Sequence, residues 1–304
     1  MSLVLKKRFR QVAVSGLVVG ALLVLSGCSS LQEDEIKRLA LPIPSTKEAD
    51  TVYDLWMWSW LAAMLTGVVV WGLIFYACIR FYRRSQTDIP VQTRYNLPIE
   101  IFYTIAPIMM VIVFFYFTLD AQGKVDHNDK NPDETITVVG QQWSWTFNYN
   151  LGWDKSKEKY EPVGGDVVYE GGTTADRPTL WLVKDKSVEI YLRSPDVIHS
   201  FWVPSFLYKM DVVPGRHNSF AITPTREGTF DGRCAELCGT YHAYMNFEVR
   251  AVSGDDYDAY LQARESGMGT SEALESIGQP GKATTTKPLP LVENKTVGQQ
   301  QAGG

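Results

Sequence analysis

The sequence predicts a membrane-anchored protein that is otherwise all-β: a two-helix hairpin, then a domain of short strands in an antiparallel sandwich or barrel. Two apolar stretches, roughly Leu55 to Ile79 and Leu97 to Leu119, reach the ~20 residues that cross a bilayer. Beyond Asp126 the apolar residues recur with period two. Trp143, Trp145, Phe147 and Tyr149 alternate with Ser144, Thr146 and Asn148, and Val188, Ile190 and Leu192 alternate with Glu189, Tyr191 and Arg193. Gly, Pro and Asp turns separate these runs.

In chain order, Lys6, Lys7, Arg8 and Arg10 precede a short apolar run from Val12 to Leu25, and Leu25-Ser26-Gly27-Cys28 follows. That is a secretory signal rather than a spanning helix. Its ending resembles a bacterial lipoprotein signal, so residues 1–27 are expected to be cleaved and Cys28 lipidated. Residues 28–53 then lie outside the cytoplasm, and 54–120 form the membrane hairpin. Trp56, Trp58, Trp60, Tyr82, Tyr95 and Tyr116 sit near the helix ends, as interfacial aromatics do. Arg80, Arg83, Arg84 and Arg94 oppose one acid, Asp88, between the helices, while Glu48, Asp50, Asp54, Asp120 and Asp126 flank them outside. Positive residues stay inside, so the loop faces the cytoplasm of a bacterial membrane and the β domain faces outward. That domain is expected over 126–265. Phe247, Val249 and Ala251 supply a late strand, and Asp255 to Arg264 a short closing helix. Gly152 to Pro178, rich in Gly, Lys and Asp, reads as a long exposed insertion. Residues 266–304 read as a disordered tail, because their composition cannot support a core.

A net charge of -5 argues against nucleic acid, whose binders carry clustered basic charge. The chemistry concentrates in one run, Cys234-Ala-Glu236-Leu-Cys238-Gly-Thr-Tyr-His242-Ala-Tyr-Met245, with His199 at the end of another strand. Thiolates, imidazoles and a thioether together select copper over magnesium or calcium. A mononuclear blue-copper site takes one Cys, so one thiolate is left over. Two bridging thiolates could hold two coppers close enough to share an unpaired electron, with His199 and His242 as one imidazole each and Met245 and a loop carbonyl as weak outer ligands. A Cys-x3-Cys pair outside the cytoplasm also suits a disulfide, and two Cys with two His suit structural zinc. Neither gives Met245 a role. His127 and His217 have no partners at ligand spacing, and Cys78 reads as a buried, inert thiol of the first membrane helix.

The run from Cys234 to Met245 resembles the binuclear copper loop of cytochrome c oxidase subunit II. Asp196-Val-Ile-His199-Ser-Phe-Trp-Val-Pro204, Lys209-Met-Asp211-Val-Val-Pro-Gly-Arg216, Gln142-Trp143-Ser144-Trp145, Asn96-Leu-Pro-Ile-Glu100 and Thr104-Ile-Ala-Pro107 match other segments of that family. The resemblance covers roughly Leu55 to Val252. It implies a cupredoxin-like Greek-key β-barrel after the hairpin. It implies two copper ions in a copper A centre on His199, Cys234, Cys238, His242 and Met245, with Glu236 giving its carbonyl. The Glu236 carboxylate would reach a magnesium ion shared with subunit I. Trp143 would admit electrons from cytochrome c, Glu100 would lie at the mouth of a proton pathway, and Asp196 and Asp211 would serve docking or support the copper ligands. The implied partners are the haem-bearing subunit I, other oxidase subunits, and a free or complex-bound cytochrome c.

Two departures bear on the electron donor. Ser144 stands where the family has an aromatic, and the insertion at 152–178 is long. The rival readings are a copper-free quinol oxidase subunit II, a thioredoxin-like copper chaperone and a nitrous-oxide reductase fragment. The intact ligand set argues against the first. Gly239 after the second cysteine and the closeness of His242 argue against the second, and the membrane hairpin against the third.

Overall fold

Backbone and side-chain hydrogen bonds at the starts of both helices fix where the membrane hairpin begins. The computed structural model describes residues 35–279 and 281, apart from Arg84, Gln86 and Asp88. The expected signal at 1–27 and Cys28 lie outside the described residues, as does the chain from 282 onward. The described residues 35–43 belong to one unit, in which a helical turn spans 35–37, and the described residues from Pro44 onward form a second.

In this second unit α1 spans Lys47–Arg80. The Thr46 side chain caps it by accepting from Ala49 N–H at 3.1 Å, and Glu48 and Asp50 lie in its first turn, where the helix dipole favours anions. Helix α2, Leu97–Val125, starts at Asn96, whose backbone N–H donates to the Glu100 carboxylate at 2.8 Å. Both are long and apolar enough to cross a membrane, and they pack side by side. Each extends past the stretch expected from hydropathy, because capped polar turns continue the helix beyond the apolar run. Cys78, expected to be buried, is exposed on α1. Two adjacent helices leave most of each surface uncovered.

The start of α1 is tied to the β domain. Ser45 N–H donates to Ser205 O at 3.0 Å, Lys47 N–H to Thr223 O at 2.9 Å, and Thr223 N–H to the buried Glu48 carboxylate at 3.0 Å. At the end of α2, Tyr208 donates its hydroxyl to Asp126 at 2.6 Å. Both outer helix ends are therefore fixed to the domain that carries the candidate site.

That domain is the cupredoxin-like β fold expected after the hairpin. Its strands are β1 Glu134–Gln141, β2 Ser144–Tyr149, β3 Leu151–Asp154, β4 Lys159–Pro162, β5 Val168–Gly171, β6 Thr179–Val183, β7 Val188–Arg193, β8 His199–Val203, β9 Tyr208–Val212, β10 Asn218–Ile222, β11 Gly228–Cys234 and β12 Asn246–Val252. They form two five-stranded sheets, β10-β7-β1-β2-β5 and β6-β12-β11-β8-β9, with β3-β4 as a separate hairpin. The pairs β1–β7 and β12–β6 run parallel, which alternation alone does not disclose because its period is the same in both directions. The alternating residues meet between the sheets. Trp145, Phe147, Tyr149, Val188, Ile190, Leu192, Phe247 and Val249 are all fully buried. Phe247 stacks on Phe201 with ring centroids 4.9 Å apart, and Trp145 meets both rings edge-on.

Two boundaries differ from expectation. The segment 152–178 holds β4 and β5, and β5 is an edge of the first sheet. Trp153 stacks on His217 at 3.5 Å and fastens the hairpin to the loop before β10. The expected tail from 266 begins with structure instead. After α3, Gly254–Glu265, comes α4, Thr270–Ser276, whose Ala273 and Leu274 are buried. Thr270 also bonds the buried Glu170 carboxylate of β5. A few apolar residues and one polar anchor dock a helix that bulk composition had hidden.

Gly232 pairs with Phe247, and a Cβ there would fall 2.1 Å from the Phe247 ring. Gly232→Ala is expected to overpack the core and destabilise the domain by about 1–3 kcal/mol in a denaturant or thermal melt. An unchanged melt would contradict the close approach.

Candidate metal centre

Three strands converge on the candidate ligands. His199 opens β8 and Cys234 ends β11; the pairing of these strands sets Cys234 opposite Phe201. The chain then loops, makes a single 3-10 turn at His242–Tyr244, and reaches Met245 just before β12. Cys234 N–H donates to Met245 O at 3.0 Å and closes the loop at its base.

This closure gathers the donors. Cys234 Sγ lies 3.9 Å from Cys238 Sγ, 3.9 Å from His199 Nδ1 and 3.2 Å from the Glu236 carbonyl oxygen. Cys238 Sγ lies 3.6 Å from His242 Nδ1 and 3.7 Å from Met245 Sδ. His199, both cysteines and Met245 are buried, and His242 is half-buried. The cysteines are free thiols, far beyond the ~2 Å of a disulfide. Among the described residues, His199, Cys234 and Cys238 are the group whose ligand atoms are mutually close enough for one metal ion. Two thiols, two imidazoles, a thioether and a carbonyl converging in an apolar pocket fit copper by donor softness.

Supporting bonds orient these donors. His199 Nε2 lies 2.8 Å from the Asp196 carboxylate. An ionised carboxylate only accepts, so Nε2 carries the proton and the Nδ1 lone pair faces Cys234. Asp196 also accepts from the N–H groups of Gln142 at 2.7 Å and Val197 at 2.6 Å. Burial works against its charge, but those N–H groups and His199 hold the carboxyl below its ordinary range. Burial likewise opposes protonation of His199, yet its bonds to Cys234 and Asp196 raise its pKa.

The turn from β1 to β2 packs on the ligand loop. Gln142 Nε2 donates to Cys238 O at 2.7 Å and Trp143 Nε1 to the same oxygen at 3.3 Å. The Trp143 ring meets Tyr241 edge-on at 4.9 Å. Gly239, at φ +125°, allows this approach, since a Cβ there would lie 3.1 Å from Trp143 Nε1.

The structure thus brings together His199, Cys234, Glu236 O, Cys238, His242 and Met245, with Trp143 against them. The Glu236 carboxylate is exposed, and Asp211 is exposed on β9 with no hydrogen bond to the cluster among the described residues. Glu100 lies in the first turn of α2, apart from the cluster, where it caps the helix. Gln142 and Tyr241 received no role from sequence reasoning. Gln142 sat inside a recognised segment, but only the turn geometry reveals where its amide points.

A family model and sequence relatives agree on one family. A family model described as "Cytochrome C oxidase subunit II, periplasmic domain" matches residues 134–252. A probable cytochrome c oxidase subunit 2 of Streptomyces avermitilis is 45% identical over 285 residues, covering 85% of this chain and 87% of the relative. The cytochrome c oxidase subunit 2 of Mycobacterium bovis is 37% identical over 326 residues, covering 92% of this chain and 89% of the relative. Among solved structures, the periplasmic domain of subunit II of cytochrome oxidase (CoxB) of Bradyrhizobium japonicum superposes with a TM-score of 0.37 at 25% identity, covering 46% of this chain and 98% of that one.

The pocket has opposite effects on its two thiols when no metal is bound. Burial raises both, but His199 and backbone groups of Glu236 and Ser200 bring Cys234 down to about 7. Burial and the neighbouring Cys234 charge push Cys238 up to about 12. Metal-free protein carrying Cys28→Ser and Cys78→Ser should therefore form one thiolate near pH 7, while the second thiol stays protonated up to about pH 9, just below the tyrosine range, read by ultraviolet thiolate absorbance. Two coincident steps near the ordinary thiol value of about 8.5 would contradict this geometry.

Proposed function

The chain belongs to the cytochrome c oxidase subunit II family, and from that premise we propose that it is the electron-accepting subunit of a bacterial oxidase. It takes electrons one at a time from reduced cytochrome c and delivers them to the haems of subunit I, where oxygen is reduced to water. The observation that carries this reading is the convergence of two free thiols, two imidazole Nδ1 atoms, the Met245 sulfur and the Glu236 carbonyl in one pocket.

In this reading His199, Cys234, Glu236 O, Cys238, His242 and Met245 hold two copper ions. When bound, the pair would supply a one-electron couple. The chain's own residues do the rest. Asp196 fixes the His199 tautomer, so its Nδ1 remains a donor whether or not an electron is present. The strand ends and the closed loop hold the donors in place, which limits rearrangement during transfer. The buried apolar wall excludes water that would otherwise reorganise around each change of charge.

Trp143 is the point of electron uptake. It is half-buried at the domain surface, and its indole N–H gives a direct hydrogen-bonded route to the Cys238 backbone. The Glu236 carboxylate is exposed and available to a magnesium ion whose other ligands come from subunit I. Glu100, at the helix end next to the basic loop, serves the mouth of a proton pathway there. The excess of Arg80, Arg83 and Arg94 in that loop supports a cytoplasmic loop and an extracytoplasmic β domain. Lipidation at Cys28 would add a second anchor.

Replacing Cys238 with Ser in the assembled oxidase is expected to abolish oxidation of cytochrome c. The haems of subunit I should still reduce with a small-molecule reductant such as dithionite. Retained turnover with cytochrome c in a complex shown to contain the variant subunit would overturn the proposed role.

A further inference from the structure

The ligand loop and the His199 segment are joined through one residue to which no role has been given. Gln142 stands at the turn between β1 and β2, and its two polar ends reach in two directions. Its backbone N–H donates to Asp196 Oδ2 at 2.7 Å, and Asp196 Oδ1 holds His199 Nε2 at 2.8 Å. Its side-chain Nε2 donates to Cys238 O at 2.7 Å. A carbonyl only accepts, so the amide orientation is fixed by its partner. One residue therefore links both halves of the ligand set.

The middle of the ligand loop depends on this link. Before it, Ala235 N–H donates to Ser200 O at 3.0 Å; after it, Tyr241 packs on Trp143. Between these points, Glu236 O accepts from the Cys234 thiol at 3.2 Å, and the described hydrogen bonds that hold the Cys238 peptide to the body of the domain are those that Gln142 and Trp143 make to Cys238 O. The Gln142 bond is the shorter by a wide margin, and it lies on the residue whose sulfur touches His242 and Met245.

We propose that Gln142 is a positioning residue for electron uptake, clamping Cys238 and Trp143 in register with the His199–Asp196 pair. The proposal rests on the reading of the cluster as a two-copper centre. Loss of the side-chain donor frees the Cys238 peptide to move, which alters the sulfur position and the contact with Trp143 together. The backbone bond to Asp196 does not involve the side chain, so replacing Gln142 with Ala or Glu isolates the amide. A bare docking role for this exposed residue predicts something different: weaker binding of the donor protein with an unaltered centre.

The test uses the assembled oxidase with Gln142→Ala and Gln142→Glu. The second keeps the side-chain length but turns the donor into an acceptor, and it carries the test alone if the first does not assemble. Copper content, the copper hyperfine pattern in electron paramagnetic resonance, the reduction potential, and kcat and KM for reduced cytochrome c are measured. The expected result is retained copper, a changed hyperfine pattern and a shifted potential. The kcat should fall by about ten- to a hundredfold, the scale of a small misplacement at a reacting centre, with KM within about twofold of wild type. An unchanged hyperfine pattern and potential, with KM raised or with nothing altered, overturns the proposal. A wild-type complex without a two-copper signal instead defeats the underlying reading, so the two failures are told apart.

Discussion

Two thiols held 3.9 Å apart in a buried pocket set the terms for the rest of this protein. Ionising both without a counter-charge is strongly unfavourable: hydrogen bonds from His199 and the backbone bring Cys234 down to about 7, while burial beside that charge drives Cys238 up to about 12. A pocket built this way favours cations that neutralise both sulfurs at once. The strands that hold the thiols must therefore resist the repulsion that arises as the second thiol gives up its proton. Antiparallel pairing of β11 with β8 and β12, and the Cys234 N–H bond to Met245 O, provide that resistance.

The aromatic core supports the same point from below. Trp145 sits on β2 with its indole N–H donating to Met245 O at 3.2 Å, while its ring meets Phe201 and Phe247. Core packing and the base of the ligand loop are thus one structure, and a disturbance in either reaches the other. Further out, Glu48, Ser45 and Tyr208 bind the ends of the membrane helices to the β domain. The candidate metal pocket is consequently held in a defined place relative to the hairpin, as the proposed transfer to a membrane-embedded partner would require.

Much of this was legible in the sequence. Residues Trp145, Phe147 and Tyr149 alternate because they line one face of β2, and all three are buried. The run from Cys234 to Met245 announced its donors because ligand identity and spacing are local properties. Other features are not local. The parallel β1–β7 and β12–β6 pairs share the period of antiparallel strands. The order in 152–178 depends on Trp153 finding His217, more than sixty residues away in sequence. Helix α4 depends on Glu170 of a distant edge strand, in a stretch whose composition suggested no structure. Gln142 lay in plain view inside a recognised segment, yet only the folded turn aims its amide at Cys238.

The most direct measurement is electron paramagnetic resonance, with copper analysis, on the full-length chain purified in detergent and loaded with copper. A two-copper centre gives two coppers per chain and a signal from one unpaired electron split equally by both nuclei. One copper with a single-nucleus pattern, or no copper in protein whose β domain is shown to be folded, would contradict it.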